Sequence, residues 1–169
     1  MSTLIRNTKK GKVEGFTADG ADKFLGIPYA KPPVGELRFL PPVESDPWEG
    51  IYQATAFKSS PMQVPGPDEG TQFPPAGKMT EMSEDCLYLN VYAPENAQNE
   101  KLPVMLWLYG GHYLNGSGMN TKWDGANFVR NQHVILVTFN YRVGIFGFMA
   151  HPILKKQSKH ATNAGVGDM

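Results

Sequence analysis

The sequence predicts an α/β fold with an antiparallel hairpin at its front, and three observations carry that expectation. Two short apolar runs, Lys12-Val13-Glu14-Gly15-Phe16 and Lys23-Phe24-Leu25-Gly26-Ile27, flank Ala18-Asp19-Gly20, and Asp-Gly between such runs signals a tight hairpin. Two later segments, residues 102–109 and 134–140, are apolar on both faces, as buried central strands are. A helical stretch at about residues 124–131 lies between them, and buried strands joined through a helix predict a parallel pair with a crossover.

The remaining elements follow in order. Pro28, Pro32 and Pro33 end regular structure after the hairpin. Residues 28–85 hold no long periodic stretch, and within them residues 64–76 read as a surface loop. Cys86-Leu87-Tyr88-Leu89-Asn90-Val91-Tyr92 alternates as a strand does and stops at Pro94. The final residues, 162–169, read as a turn and then a helix start, with Asp168 in the first helical turn. Fourteen prolines and eighteen glycines spread along the chain predict many turns and few long helices. No internal repeat is visible.

Composition narrows the function classes. The chain has 169 residues, enough for one domain, and its 41% hydrophobic and 19% charged content is globular. Sixteen basic residues balance sixteen acidic ones, so no net field would draw in nucleic acid or an anionic membrane. No apolar run has signal-peptide or membrane-spanning length, so the expected location is cytoplasmic. A lone cysteine, Cys86, closes no internal disulfide and rules out a multi-cysteine zinc site. His112, His133, His151 and His160 lack a His-x-x-x-His spacing, so no metal is expected.

The chemistry centres on Trp107-Leu108-Tyr109-Gly110-Gly111-His112-Tyr113-Leu114-Asn115-Gly116-Ser117-Gly118, directly after an expected strand. Consecutive glycines let a backbone turn tightly and aim its N–H groups at one point. Acyl transfer needs such donors, because negative charge develops on the carbonyl oxygen. On these residues alone, a plain glycine turn at a strand end is an equal reading.

Several motifs shift that balance. Phe24-Leu25-Gly26-Ile27-Pro28-Tyr29-Ala30, Pro32-Pro33-Val34-Gly35 and Arg38-Phe39 come first. Trp48-Glu49-Gly50 and Ala54-Thr55-Ala56-Phe57 follow, then Ser83-Glu84-Asp85 leading into the 86–92 strand. Asn140-Tyr141-Arg142-Val143-Gly144, Phe146-Gly147-Phe148, Asn163-Ala164-Gly165 and Asp168 complete the set. In this order they resemble the type-B carboxylesterase family, which includes para-nitrobenzyl esterases, fungal lipases and cholinesterases. The resemblance implies an α/β-hydrolase fold, of which residues 1–169 are an incomplete N-terminal part of one domain. It places Gly111 and His112 as the backbone donors of an oxyanion hole, with Gly110 and Tyr113 as substrate-binding neighbours. It also implies two structural ion pairs, Arg38 with Glu84 and Arg142 with Asp168.

His112 departs from the family, whose equivalent residue is usually glycine. Two readings stay open for its imidazole: a group that trims the acyl pocket, or an extra donor or base beside the reacting carbonyl. Tyr109, Tyr113 and Phe148 are pocket-lining or plain core. Cys86 has no upstream cysteine to pair with, unlike secreted members, and reads as a free thiol.

The nucleophile of this fold sits in a G-x-S-x-G elbow, and no such pattern occurs here. Gly116-Ser117-Gly118 lacks the spacing. The expectation is therefore a carboxylic ester hydrolase of serine, acyl-enzyme type, with this chain inactive in isolation. Its substrate would be a small-molecule carboxylic ester, with no cofactor. The alternatives are an inactive interaction fragment, or one half of a split enzyme completed by a C-terminal companion chain on the open sheet edge.

Overall fold

A computed structural model of the protein describes residues 2–64, 80–158 and 161–169. Strands β1 (Ser2–Thr8), β2 (Gly11–Ala18) and β3 (Ala21–Pro28) form an antiparallel meander. The chain turns from β2 to β3 through Asp19 and Gly20, at φ 56° and 72°. A two-residue loop with both φ angles positive has the twist that the flanking strands require. The Asp-Gly hairpin read in the sequence is present.

Short strand β4 (Ile51–Gln53) runs parallel to β2, and β5 (Ser60–Pro61) with β6 (Met82–Ser83) forms a separate small sheet. β7 (Tyr88–Pro94) lies between β3 and β9 (Ile135–Phe139), and β8 (Val104–Trp107) pairs with β9 in parallel. The sheet order is β1-β2-β3-β7-β9-β8. Helix α1 (Ala126–Gln132) connects β8 to β9, which is the crossover the sequence predicts. Short helices α2 (Gly144–Phe148), α3 (Pro152–Gln157) and α4 (Ala164–Gly167) follow. Among the described residues no helix is long and apolar enough to cross a membrane.

Burial holds these layers together. Ala21, Leu25, Tyr92 and Leu136 of the sheet pack against Ala126 and Val129 of α1. Lys23 is buried among them, and its ammonium bonds Asp19 at 2.7 Å and Asp124 at 2.9 Å. A buried cation is tolerated because both carboxylates satisfy it, and the pair ties the hairpin turn to the segment entering α1. A second cluster, Tyr109, Phe139, Tyr141 and Val143, lies at the end of the sheet from which the glycine-rich turn emerges.

Three sequence expectations need correction. The apolar segment 102–109 is not a buried central strand, because β8 is an edge: Val104, Met105 and Leu106 are 65%, 49% and 51% exposed. It pairs with β9 alone, and α1 packs over β3, β7 and β9. The 86–92 strand begins two residues later, at Tyr88, with Cys86 and Leu87 buried ahead of it. Asp168 does not open a helix but caps the C-terminal end of α4, its N–H donating to Ala164 O at 2.9 Å. The loop read at 64–76 lies, apart from Val64, outside the described residues.

Candidate active site

The glycine-rich turn leaves the end of β8 and re-enters the core at Gly118. Gly111 sits at φ 136°, and a Cβ there would lie 2.1 Å from the carbonyl oxygen of Asn115. Only glycine fits both the angle and the space. His112 and Tyr113 follow at φ 56° and 62°. The left-handed region costs a non-glycine residue roughly 1–2 kcal/mol, so something must hold it. Gly144 N–H donates to Tyr113 O at 2.7 Å, and the Tyr113 ring packs on Phe148 with centroids 5.0 Å apart.

The carbonyls of Gly111 and Tyr113 are occupied, while the turn's early amides are not. Gly111 O accepts from Leu114 N–H at 2.9 Å and from Asn115 N–H at 3.3 Å. Among the described residues, the N–H groups of Gly110, Gly111, His112 and Tyr113 have no acceptor. Side chains that sequence reading did not single out anchor the far end. Asn140 Oδ1 accepts from Gly118 N–H at 2.9 Å, and its Nδ2 donates to Ser59 O and Cys86 O. Gln63 bonds Gly116 through both its amide atoms. A buried asparagine with every polar atom matched fixes geometry strongly, because any shift leaves a group unsatisfied.

His112, Tyr113, Leu114 and Asn115 line an open cleft of about 910 Å³. Its other walls are mostly apolar, including Val64, Ile145, Phe146, Phe148 and Met149. Tyr113 and Phe148 are thus at the cleft. Tyr109 is core: buried, stacked 4.2 Å from Tyr141, and donating its hydroxyl to Tyr141 O. His112 is exposed and is the one histidine at the cleft among the described residues. His133 bonds Glu100, and His151 Nδ1 accepts from Ile153 N–H. Among the described residues no cluster of His, Cys, Asp and Glu is placed to hold a metal ion.

The arginines flank this region. Arg142 and Asp168 meet through Nε at 2.8 Å and Nη2 at 2.6 Å, and Arg142 N–H adds a third bond at 2.9 Å. Both side chains are buried, so the pair bolts the segment after β9 to α4. Arg38 meets Glu84 through Nε and Nη2, half exposed to solvent, which weakens the attraction. Cys86 is a free, buried thiol. Burial first, and the nearby Asp168 charge second, push its pKa up, so it stays protonated and unreactive. A disulfide reagent at pH 8 is therefore expected to leave the native thiol untouched and to titrate it fully in denaturant. Rapid native labelling would contradict this burial.

The sequence profile of the carboxylesterase family matches residues 2–169. The chain belongs to the carboxylesterase family. It is 42% identical to the fumonisin B1 esterase of Sphingopyxis macrogoltabida over 164 residues, covering 97% of this chain and 29% of that protein. The para-nitrobenzyl esterase of Bacillus subtilis is 42% identical over 149 residues, 88% of this chain and 29% of that one. Among solved structures, a thermophilic PNB esterase superposes with a TM-score of 0.86 at 38% identity, covering 99% of this chain and 33% of that chain. The carboxylesterase EST55 of Geobacillus stearothermophilus gives 0.81 at 38% identity, with 97% and 32% covered. The chain therefore carries part of an α/β-hydrolase fold and spans about 29% of the length of these curated relatives.

Within this carboxylesterase-family chain, Arg38, Glu84 and Arg142 come together beside Phe146, which also lines the cleft. The sequence reading missed Gln63 altogether, and of Asn140, which it quoted within a motif, it missed the anchoring role. Each grips backbone many positions away, and such contacts leave no local pattern.

Proposed function

We propose that this chain supplies the oxyanion-binding turn of a carboxylic ester hydrolase that works through a serine acyl-enzyme. The observation that carries this reading is the pair of unpartnered amides at Gly111 and His112, on a turn whose Gly111 and Tyr113 carbonyls are already held, beside an apolar cleft. In such a reaction the serine Oγ attacks the ester carbonyl, and a histidine takes its proton. The carbonyl oxygen gains negative charge, and preorganised N–H donors stabilise it without reorganising. The alcohol leaves with the proton, and water then releases the acid. The route needs no metal or organic cofactor. The cleft walls favour a neutral ester with apolar groups. Gly110 and Tyr113 border the reacting carbonyl, and Arg142–Asp168 and Arg38–Glu84 are structural.

On this reading the serine, its histidine and its acid would have to come from outside these residues, since no G-x-S-x-G occurs among them. A cytoplasmic location accords with the free thiol of Cys86. The exposed apolar edge of β8 favours one variant of this reading, in which a companion chain carries the elbow and pairs along that edge. The test compares the 169-residue chain with the product of the uninterrupted coding sequence, using para-nitrophenyl esters and a fluorophosphonate label. The expected result is no turnover by the shorter chain, with label and turnover in any longer product, on a serine beyond residue 169. Labelling of Ser117 with turnover by the 169 residues, or a longer product without either signal, would contradict it.

A further inference from the structure

One anchor of the turn, Gln63, is a residue that the acyl-transfer reading does not use. Gln63 Oε1 accepts from Gly116 N–H at 2.7 Å, and its Nε2 donates to Gly116 O at 2.8 Å. The second hydrogen of Nε2 goes to Pro61 O at 2.9 Å, beside the small β5–β6 sheet. The side-chain amide therefore pairs with both the N–H and the C=O of Gly116, as a neighbouring strand would, and its donors are all used.

Gly116 transmits that grip. It sits at φ 116°, and a Cβ on it would lie 2.6 Å from Gly110 O and 2.3 Å from the Tyr109 ring. The Tyr109 ring cannot yield, because it is stacked on Tyr141 and hydrogen-bonded to it in both directions. Gly116 thus lies close to the Gly110 carbonyl, with no room for a side chain between them. That carbonyl shares one planar peptide unit with the Gly111 N–H, so whatever fixes the oxygen fixes the direction of the amide. The next unit, carrying His112 N–H, is held separately by Leu114 and Asn115 on Gly111 O.

We propose that Gln63 is a positioning residue for ester hydrolysis, clamping Gly116 so that the Gly110–Gly111 peptide plane aims its N–H at the developing oxyanion. This rests on the hydrolase reading above. It adds that the 60–63 segment and the turn form one unit, joined also by Ser60 Oγ to Ser117 Oγ at 2.9 Å.

Two variants separate the parts of the grip. Gln63→Met keeps the length and loses every bond. Gln63→Glu keeps an acceptor for Gly116 N–H but loses the donor to Gly116 O. The first measurement needs no activity: hydrogen exchange of the peptide covering residues 110–118 in the complete protein. Exchange is expected to quicken about tenfold in Gln63→Met, with a smaller change in Gln63→Glu. Unchanged exchange overturns the clamp. The second measurement is kinetic. In Gln63→Met, kcat should fall about ten- to hundredfold with KM nearly constant, the loss expected when a donor is misaimed. Affinity for a trifluoromethyl ketone, which forms a tetrahedral oxyanion on the serine, should fall in parallel, and Gln63→Glu should lie between. A loss confined to melting temperature or to KM overturns the positioning role. A complete wild-type protein without ester hydrolysis sinks the hydrolase reading itself, while the exchange result still decides the clamp.

Discussion

If Gly111 donates to the oxyanion as proposed, Gly111→Ala is expected to lower kcat/KM for ester hydrolysis by the complete protein about 10²–10³-fold, the loss typical of removing one such donor. The cause is steric. The new methyl would meet Asn115 O at 2.1 Å and Asn115 Oδ1 at 2.5 Å, at a backbone angle that L residues rarely adopt. Asn115 must move, and its N–H is one of two that hold the carbonyl of the Gly111–His112 peptide. Both proposed donors are thereby disturbed. Gly110→Ala is the control, since a Cβ at Gly110 meets nothing within 4 Å. It should retain activity within about tenfold of wild type, a loss too small for an oxyanion donor. Steady-state kinetics on the two variants check this directly. Equal losses would mean that the turn tolerates or rejects methyl groups for some reason other than donor geometry.

Asp168→Asn is expected to cost roughly 3–5 kcal/mol of stability, because it leaves the Arg142 guanidinium buried without its counter-charge. That is a large share of the ~5–15 kcal/mol that holds a typical fold together. Asp168 also accepts the Arg142 backbone N–H, so the asparagine must satisfy that donor with a neutral oxygen. Replacing both partners together, as Arg142→Met with Asp168→Leu, should cost much less, since neither charge then remains to be desolvated. Urea unfolding of the wild type and these two variants measures the difference. Asp168→Asn within about 1 kcal/mol of wild type, the range of an exposed pair, would show that solvent reaches the pair after all.

The part of the fold legible in the sequence is the part governed by local rules. Asp19-Gly20 between two apolar runs takes positive φ twice, as a two-residue hairpin of this twist requires. The β8–α1–β9 crossover follows from two apolar segments and the helical stretch between them. The misread burial of β8 has the same origin as that success. Apolarity on both faces reports the surroundings a strand suits, and it is blind to which strands pair on either side. Asp168 illustrates a second limit. An acidic residue near an expected helix suggests the first turn, but its carboxylate is committed to an arginine 26 residues earlier.

At the candidate site, the glycine pattern marked where the turn would be, and the family resemblance supplied the roles read into it. What the pattern did not contain is why the turn keeps its shape. Gln63 reaches Gly116 across 53 positions, and Asn140 reaches Ser59 across 81. These contacts exist only once the sheet has formed. Asn140 opens one of the family-like motifs, but nothing in the one-dimensional string says what it grips, and Gln63 looks like any surface polar residue.

The most direct test is a structure of the complete protein with its nucleophile trapped by a phosphonate or trifluoromethyl ketone. The trapped oxyanion should lie about 2.7–3.1 Å from the backbone nitrogens of both Gly111 and His112, the range of a preorganised donor pair. An oxygen bound elsewhere, with those two amides turned toward solvent or toward the chain's own carbonyls, would contradict the account.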